Sequence, residues 1–411
     1  MQIVREKYLA RIRPFIDTPF IKVLTGIRRS GKSAILELLR EELLRSGVPE
    51  GEVVYINLEM SDPGDLQAQK LSRAIKNRIK DGGKIYLLLD EAQLVPGWEQ
   101  AVNSLFAGKQ ADIFITGSNS TLLSSELSSL LSGRYVQFVT RPLSFAEYLE
   151  FAEAIAGRTL DRRSSIREYL RRGGFPGIHY LKGMENPDDS LSLIDKTVSD
   201  IFSSIVLKDV AQSNKLRNMD LLERVIKFLL DNTGSMVSAR SISAYFKNQK
   251  RKVSVDTILE YISALEGAYA IEKARRYDIR GKKLLNVQEK YYSADVSFIH
   301  ALLGYDDRRI PGIMENVIYN ELRRREYDVF VGQYDGREID FVAVRGGEKI
   351  YVQAVYLING DADIIDREFG NLLRIGDQFP KYVVSLDERW TSSVEGVRHV
   401  YLPDFLLMEG Y

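Results

Sequence analysis

Residues 26–33 read GIRRSGKS, and this octapeptide decides how the first third of the chain is read. It fits G-x-x-x-x-G-K-[ST] and lies between a short apolar run, FIKVLT at 20–25, and a leucine-rich segment of helical period at 34–44. A strand that turns sharply into a helix aims successive backbone N–H groups at one point, and the positive helix end adds to that field. Gly26 and Gly31 permit the turn, Ile27, Arg28, Arg29 and Ser30 form the loop between them, and Ala34 follows on the helix. Such a loop is a phosphate cradle. Lys32 is expected to reach the β- and γ-phosphates of ATP, and the Ser33 hydroxyl to ligate Mg²⁺.

Outward from the loop, strand and helix patterns alternate. VVYINLE at 53–59 reads as a strand, 66–80 as a helix and KIYLLLDE at 84–91 as a strand. A helix around Trp98–Phe106 follows, then the strands ADIFITGS at 111–118 and YVQFVT at 135–140. That alternation predicts an α/β fold with a parallel sheet, the P-loop NTPase type. Trp98 is assigned to packing.

Two further elements fit the same chemistry. The apolar strand IYLLLDE ends in two carboxylates about 60 residues after the P-loop. Asp90 is placed to hold Mg²⁺ through water, and Glu91 to orient or deprotonate the attacking water. The strand ending in TGSNS at 116–120 offers Ser118 and Asn119 as groups that sense the γ-phosphate. Arg134, in LSGRY beyond a Ser/Leu-rich helix, reads equally as an arginine finger, in cis or for a neighbouring subunit, and as an exposed arginine without that role.

Composition excludes several classes. The 411 residues hold no cysteine, which removes disulfides and thiolate chemistry. His179, His300 and His399 show no ligand spacing for zinc. Lys plus Arg equals Asp plus Glu at 57 each, so any nucleic-acid contact must come from local clusters. No segment has 18 apolar residues in a row and the N-terminus lacks a signal-peptide core, so a cytoplasmic protein without membrane contact is expected.

Taken together, LTGIRRSGKS, LLLDEAQ, FITGSNSTLLS, LSGRY and RPLSFAEYL, then GGFPG (173–177), SSIVLKDV (203–210), SADVSF (293–298) and REIDFVAV (337–344) resemble a prokaryotic family of AAA-type ATPases with a C-terminal DUF4143 region. The resemblance covers nearly the whole chain. It implies an ATPase domain at 1–142, a helical lid or linker at 143–217, a winged helix at 218–296 and a domain similar to PD-(D/E)xK nucleases at 297–411.

The second half poses the question of nucleic acid. Residues 240–283 hold 11 Lys/Arg against 5 Asp/Glu, with a proposed recognition helix at 254–265 and Arg275, Arg276, Arg280, Lys282 and Lys283 around the wing. DNA contact and protein packing are the two readings. In the nuclease-like region Glu315, Glu338 and Asp340 supply acids, but the position for acid-x-Lys reads Gln353-Ala354-Val355. Glutamine is a weak, neutral ligand and valine cannot move a proton, so cleavage is not expected unless another lysine, such as Lys349, takes the role. An ATP-switched protein that binds DNA is the first expectation; a scaffold that binds protein partners and an ATP-dependent nuclease are the alternatives. Oligomeric state stays open.

Overall fold

The computed structural model describes residues 3–79, 83–119, 133–181, 187–212, 214, 216, 218–358, 362–388 and 393–411. The chain divides into two compact units, Met1–Pro142 with Gly267–Tyr269, and Leu143–Glu266 with Ala270–Tyr411. The Ser/Leu-rich helix expected before Arg134 falls at 120–132, outside the described residues.

In the first unit, strands β1 (Ile21–Thr25), β2 (Val53–Asn57), β3 (Ile85–Asp90), β4 (Ala111–Gly117) and β5 (Tyr135–Val139) form a parallel sheet in the order β2-β3-β4-β1-β5. The strands are apolar on both faces because helices cover both. In β3, Leu87 and Leu89 face one layer and Leu88 the other, as a period of two requires. Leu87 and Leu89 pack with Leu71 and Ile75 of a helix at Ala68–Lys76 and with Trp98, Val102 and Leu105 of a helix at Trp98–Ala107. Trp98 is thus a core residue. Leu88 packs with Ile35, Leu36 and Leu39 of the helix that follows the P-loop, α1 (Lys32–Arg45). A buried polar contact sits among these layers. Lys22 on β1 has its ammonium against the Asp112 carboxylate on β4 and over the Phe114 ring at 4.3 Å. Asp112 also accepts the Asp17 N–H at 2.9 Å.

The second unit holds helices and a seven-stranded mixed sheet. Its strands are β6 (Ile271–Asp278), β7 (Lys283–Ser293), β8 (Asp328–Tyr334), β9 (Arg337–Arg345), β10 (Glu348–Val355), β11 (Lys381–Ser385) and β12 (Arg398–Tyr401), in the order β12-β11-β10-β9-β8-β6-β7. The hairpin expected as a wing is therefore not a free ribbon. β6 pairs in parallel with β8 through Arg276↔Val331 to Asp278↔Gln333, so the hairpin extends the same sheet as the C-terminal strands. The helix expected to read DNA, Val255–Gly267, buries Ile258, Tyr261, Ile262 and Leu265 and exposes Asp256, Leu259, Glu260 and Ser263. Its outward face carries no cation. Two of the quoted motifs meet in this unit. The buried Asp295 carboxylate of SADVSF accepts the Gly174 N–H of GGFPG at 2.7 Å and the Ser297 N–H at 2.9 Å. A side chain on Gly173 would overlap that carboxylate.

Candidate functional site

Parallel strands bring their C-terminal ends to one edge of a sheet, and in open α/β folds that edge carries the ligand site. Here it gathers Thr25 of β1, Asp90 of β3 and Thr116 of β4, joined by the P-loop between β1 and α1. Gly26 holds φ 136°, and a Cβ there would lie 2.0 Å from the Thr140 carbonyl oxygen. Only glycine fits. Gly31, at φ 96°, is the residue that precedes α1. Arg29 also takes a left-handed backbone, at φ 67°. The Lys32 ammonium donates to the Gly26 and Ile27 carbonyls at 3.0 and 3.1 Å, so it lies folded within its own loop. Arg28 pairs with Glu59 at 3.0 Å, Ile27 and Ser30 are buried, Ser33 is half-buried and Ala34 is exposed.

The two carboxylates are held differently. Asp90 is buried and accepts hydrogen bonds from the Thr116 hydroxyl and, at 3.3 Å, from Tyr55. Glu91 has a left-handed backbone, φ 55°, which turns its side chain off the strand axis. Its N–H donates to Thr116 Oγ1 at 2.9 Å, and its carboxylate accepts from Ser118 Oγ at 2.7 Å and from Gln93. Burial pushes the Glu91 carboxyl up, but the Lys32 charge and the bonds from Ser118 and Gln93 outweigh it and hold it below the ordinary glutamate value. It is anionic at neutral pH. Asn119 is buried beside this group in sequence.

These residues fit a nucleotide with magnesium. The Ser30 hydroxyl is buried inside the loop with no hydrogen-bond partner among the described residues, and buried polar atoms are seldom left so. The donor set is one hydroxyl, Ser33, and one carboxylate, Asp90, with no soft ligand. That suits Mg²⁺, which keeps waters and substrate phosphates in its shell. Among the described residues no group of three or more acidic or histidine side chains is placed to hold a metal.

Arg134 does not join the site. It is exposed, immediately before β5, and its carbonyl accepts the N–H of Ile21 at the start of β1. β5 is five residues long, which at about 3.3 Å per residue puts Arg134 roughly 17 Å from the phosphate-binding edge. The reading of Arg134 as a finger acting in cis is corrected by this geometry: parallel strands place the residue before a strand at the opposite edge. Sequence reasoning also missed Thr116, which ties Asp90 to Glu91, together with Tyr55 and Gln93. Thr116 ends the apolar run ADIFIT, and that position was the one available signal.

In the second unit Glu315, Glu338 and Asp340 do converge, and they converge on a lysine. It is Lys290 of β7, not Lys349. The Lys290 ammonium lies 2.9 Å from Glu315, 2.7 Å from Glu338 and 3.2 Å from Asp340. Lys349 lies instead over the Phe379 and Tyr351 rings, at 5.2 and 5.8 Å. Burial pushes Lys290 down, and the three carboxylates more than reverse it, so it stays charged above the ordinary lysine range. Burial and the neighbouring Asp340 raise Glu315 to about 8 against the pull of Lys290. Gln353 accepts the Asp340 N–H at 3.3 Å, and Asp340 accepts the Ala354 N–H at 2.9 Å. The acids expected to hold a nuclease metal thus already surround an internal cation, and the residues as they stand do not fit Mg²⁺.

Comparison with known proteins agrees with the first unit and revises the second. Residues 18–149 match an AAA domain, and residues 163–309 match a domain of unknown function, DUF8612. The second match replaces the expected DUF4143 region. GGFPG, SSIVLKDV and SADVSF fall within it, whereas REIDFVAV lies beyond both matched spans. An uncharacterized protein of Haemophilus influenzae is 37% identical over 408 residues, covering 98% of each chain. The uncharacterized protein MJ1544 of Methanocaldococcus jannaschii is 26% identical over 349 residues, 82% of this chain and 75% of that one. Among solved structures, the Aeropyrum pernix ORC1 protein in complex with DNA aligns at TM-score 0.32 and 13% identity, covering 74% of this chain and 93% of that chain. AMPPCP-bound DnaA from Aquifex aeolicus aligns at TM-score 0.32 and 14% identity, with coverages of 65% and 89%. Among the described residues no helix is long and apolar enough to cross a membrane.

Proposed function

This chain belongs to the family of the Haemophilus influenzae protein, and we propose that it is an AAA-type ATPase that binds and hydrolyses ATP with Mg²⁺. The observation that carries this reading is Glu91, held anionic at the strand edge beside the Lys32 charge, with Thr116 fixing its backbone. On ATP binding Lys32 leaves the Gly26 and Ile27 carbonyls and turns to the β- and γ-phosphates, while the loop N–H groups and the start of α1 take the remaining phosphate charge. Ser33 and Asp90 would hold Mg²⁺, which neutralises charge on the phosphates when bound. Glu91 accepts the proton of a water as its oxygen bonds to the γ-phosphorus, the bond from that phosphorus to the β–γ bridging oxygen breaks, and ADP leaves. Ser118, already donating to Glu91, and Asn119 register whether the γ-phosphate is present. An arginine-finger role for Arg134 is restricted to a second copy of the chain. The test is ATP turnover and nucleotide binding for the wild type, Lys32→Ala and Glu91→Gln. Loss of binding in the first variant and retained binding without turnover in the second support the assignment; turnover by Lys32→Ala refutes it.

A second reading, coupling to DNA, rests on exposed cations at the β6–β7 turn. Lys282 and Lys283 are exposed there, Lys247 is exposed in the last turn of the helix at Ala239–Asn248, and Lys250 and Lys252 are exposed on the loop after it. These would contact phosphates rather than read bases, since the Val255–Gly267 helix presents no cation. Duplex binding that weakens steeply with salt and is lost in Lys282→Glu with Lys283→Glu supports it; salt-independent or unchanged binding favours a protein partner instead. Nuclease action is not part of this proposal, because Gln353 and Val355 stand where that chemistry needs an acid and a lysine, and Glu315 keeps its proton up to about 8.

A further inference from the structure

A cavity of about 470 Å³ lies within the second unit. One wall is the helix at Arg162–Arg172, which supplies Arg167 and Ile166. The cavity lining also includes Tyr305, both Ile310 and Ile313 of the helix at Ile310–Arg324, and Tyr356 just after β10. The volume lies within the roughly 300–1,000 Å³ usual for small-molecule sites.

Three observations point to its occupant. His300, only 3% exposed, lines the cavity, and its Nε2 lies 3.1 Å from the Leu170 carbonyl. A carbonyl can only accept, so Nε2 carries the hydrogen and Nδ1 presents a lone pair. That Nδ1 is buried and has no hydrogen-bond partner among the described residues. Burial and the nearby Arg171 hold the imidazole neutral, with its pKa lowered to about 4. The missing partner is therefore a donor. Second, Arg171 is committed to Asp195 through two bonds at 3.0 and 2.7 Å, whereas Arg167 is exposed and has no carboxylate partner among the described residues. Third, Tyr305 and Tyr356 line the cavity and are 59% and 43% exposed, so their flat ring faces are available to a ligand. The Tyr305 ring lies over the His300 imidazole at 5.7 Å, and its hydroxyl donates to Asp307 at 2.6 Å.

We propose that this cavity binds a nucleotide, its phosphate on Arg167, a ring N–H donating to His300 Nδ1, and its base against Tyr305 and Tyr356. The donor, the flat apolar faces and the anion receptor are the three parts of a nucleotide, either free or as one unit of a single strand. The proposal is independent of the P-loop assignment.

The experiment uses the full chain carrying Lys32→Ala, so that the P-loop does not report. Equilibrium dialysis with uridine monophosphate, guanosine monophosphate and N3-methyluridine monophosphate reads the site directly. One equivalent is expected to bind with a Kd below about 1 mM, and N3-methylation is expected to weaken the uridine ligand about tenfold, by removing the donor to His300. Arg167→Gln and, separately, Tyr305→Ala are expected to weaken binding about tenfold each; both side chains are exposed, so the fold survives. A single-stranded oligonucleotide that mononucleotides displace identifies the strand as the source, and its failure to bind identifies the free nucleotide. No saturable binding, or binding indifferent to Arg167→Gln and to N3-methylation, overturns the proposal.

Discussion

Replacing Thr116 by valine tests the proposed catalytic geometry at a residue that never touches substrate in this scheme. The hydroxyl makes two bonds, donating to Asp90 and accepting the Glu91 N–H at 2.9 Å. Valine keeps the shape and removes both. A buried N–H left without a partner costs about 1–3 kcal/mol, and the lost charge-assisted bond adds a similar amount, so stability should fall by roughly 3 kcal/mol. The effect on rate follows from Glu91, whose left-handed backbone at φ 55° is no longer tied to β4. A displacement of about 1 Å at a proton acceptor costs on the order of a hundredfold, or about 2.7 kcal/mol of barrier. Steady-state ATP hydrolysis with a parallel urea melt should show kcat lower by about 30- to 100-fold and KM within about twofold, because the P-loop is untouched. Thr116→Ser restores the hydroxyl and should recover most of the rate. If Thr116→Val keeps kcat within about threefold of the wild type, or if serine fails to rescue it, Thr116 does not position Glu91.

Other consequences can be measured in the same protein. Because the Glu91 carboxyl is held below its ordinary value, kcat/KM should stay level as pH falls through the usual glutamate range and decline only below it; a pH profile that breaks near 7 would contradict the assignment of Glu91 as base. Asp112→Ala leaves the buried Lys22 ammonium without its carboxylate and should cost about 3–5 kcal/mol by urea denaturation; a loss under about 1 kcal/mol would mean that Lys22 is neutral in the fold. Glu315 binds its proton in the folded state up to about 8 but releases it near 4.5 when unfolded, so it contributes stability below 4.5 that is lost as pH rises through 8, at most about 5 kcal/mol. Glu315→Gln should flatten that fall, and urea midpoints at acid and alkaline pH that decline equally in both proteins would refute it. Arg134→Ala should leave the turnover of dilute, monomeric protein unchanged; a loss there would contradict its placement at the far edge of the sheet.

Much of the first unit was legible because its signals are contiguous. The P-loop needs glycines at 26 and 31 and a helix start at 32, and all of these lie within eight residues. The apolar strands were legible from composition, since helices on both faces require it. The pair Asp90–Glu91 was found from its place at a strand end. What holds that pair was not, because Thr116 reaches it only when β4 pairs with β3, and strand order leaves no mark on local periodicity. The same reason accounts for Arg134: its distance from the phosphates depends on which edge of the sheet its strand begins at. In the second unit sequence identified Glu315, Glu338 and Asp340 as a group and offered Lys349 as their cation. The structure supplies Lys290, from a hairpin whose strand β6 joins β8 in one sheet. Local residue pattern determined the phosphate loop, the carboxylate pair and the parallel α/β fold, since each depends on backbone geometry over a few residues. Tertiary structure alone decided which distant side chains neutralise, orient or exclude one another, since charge and hydrogen bonding act through space between strands whose order the chain does not spell.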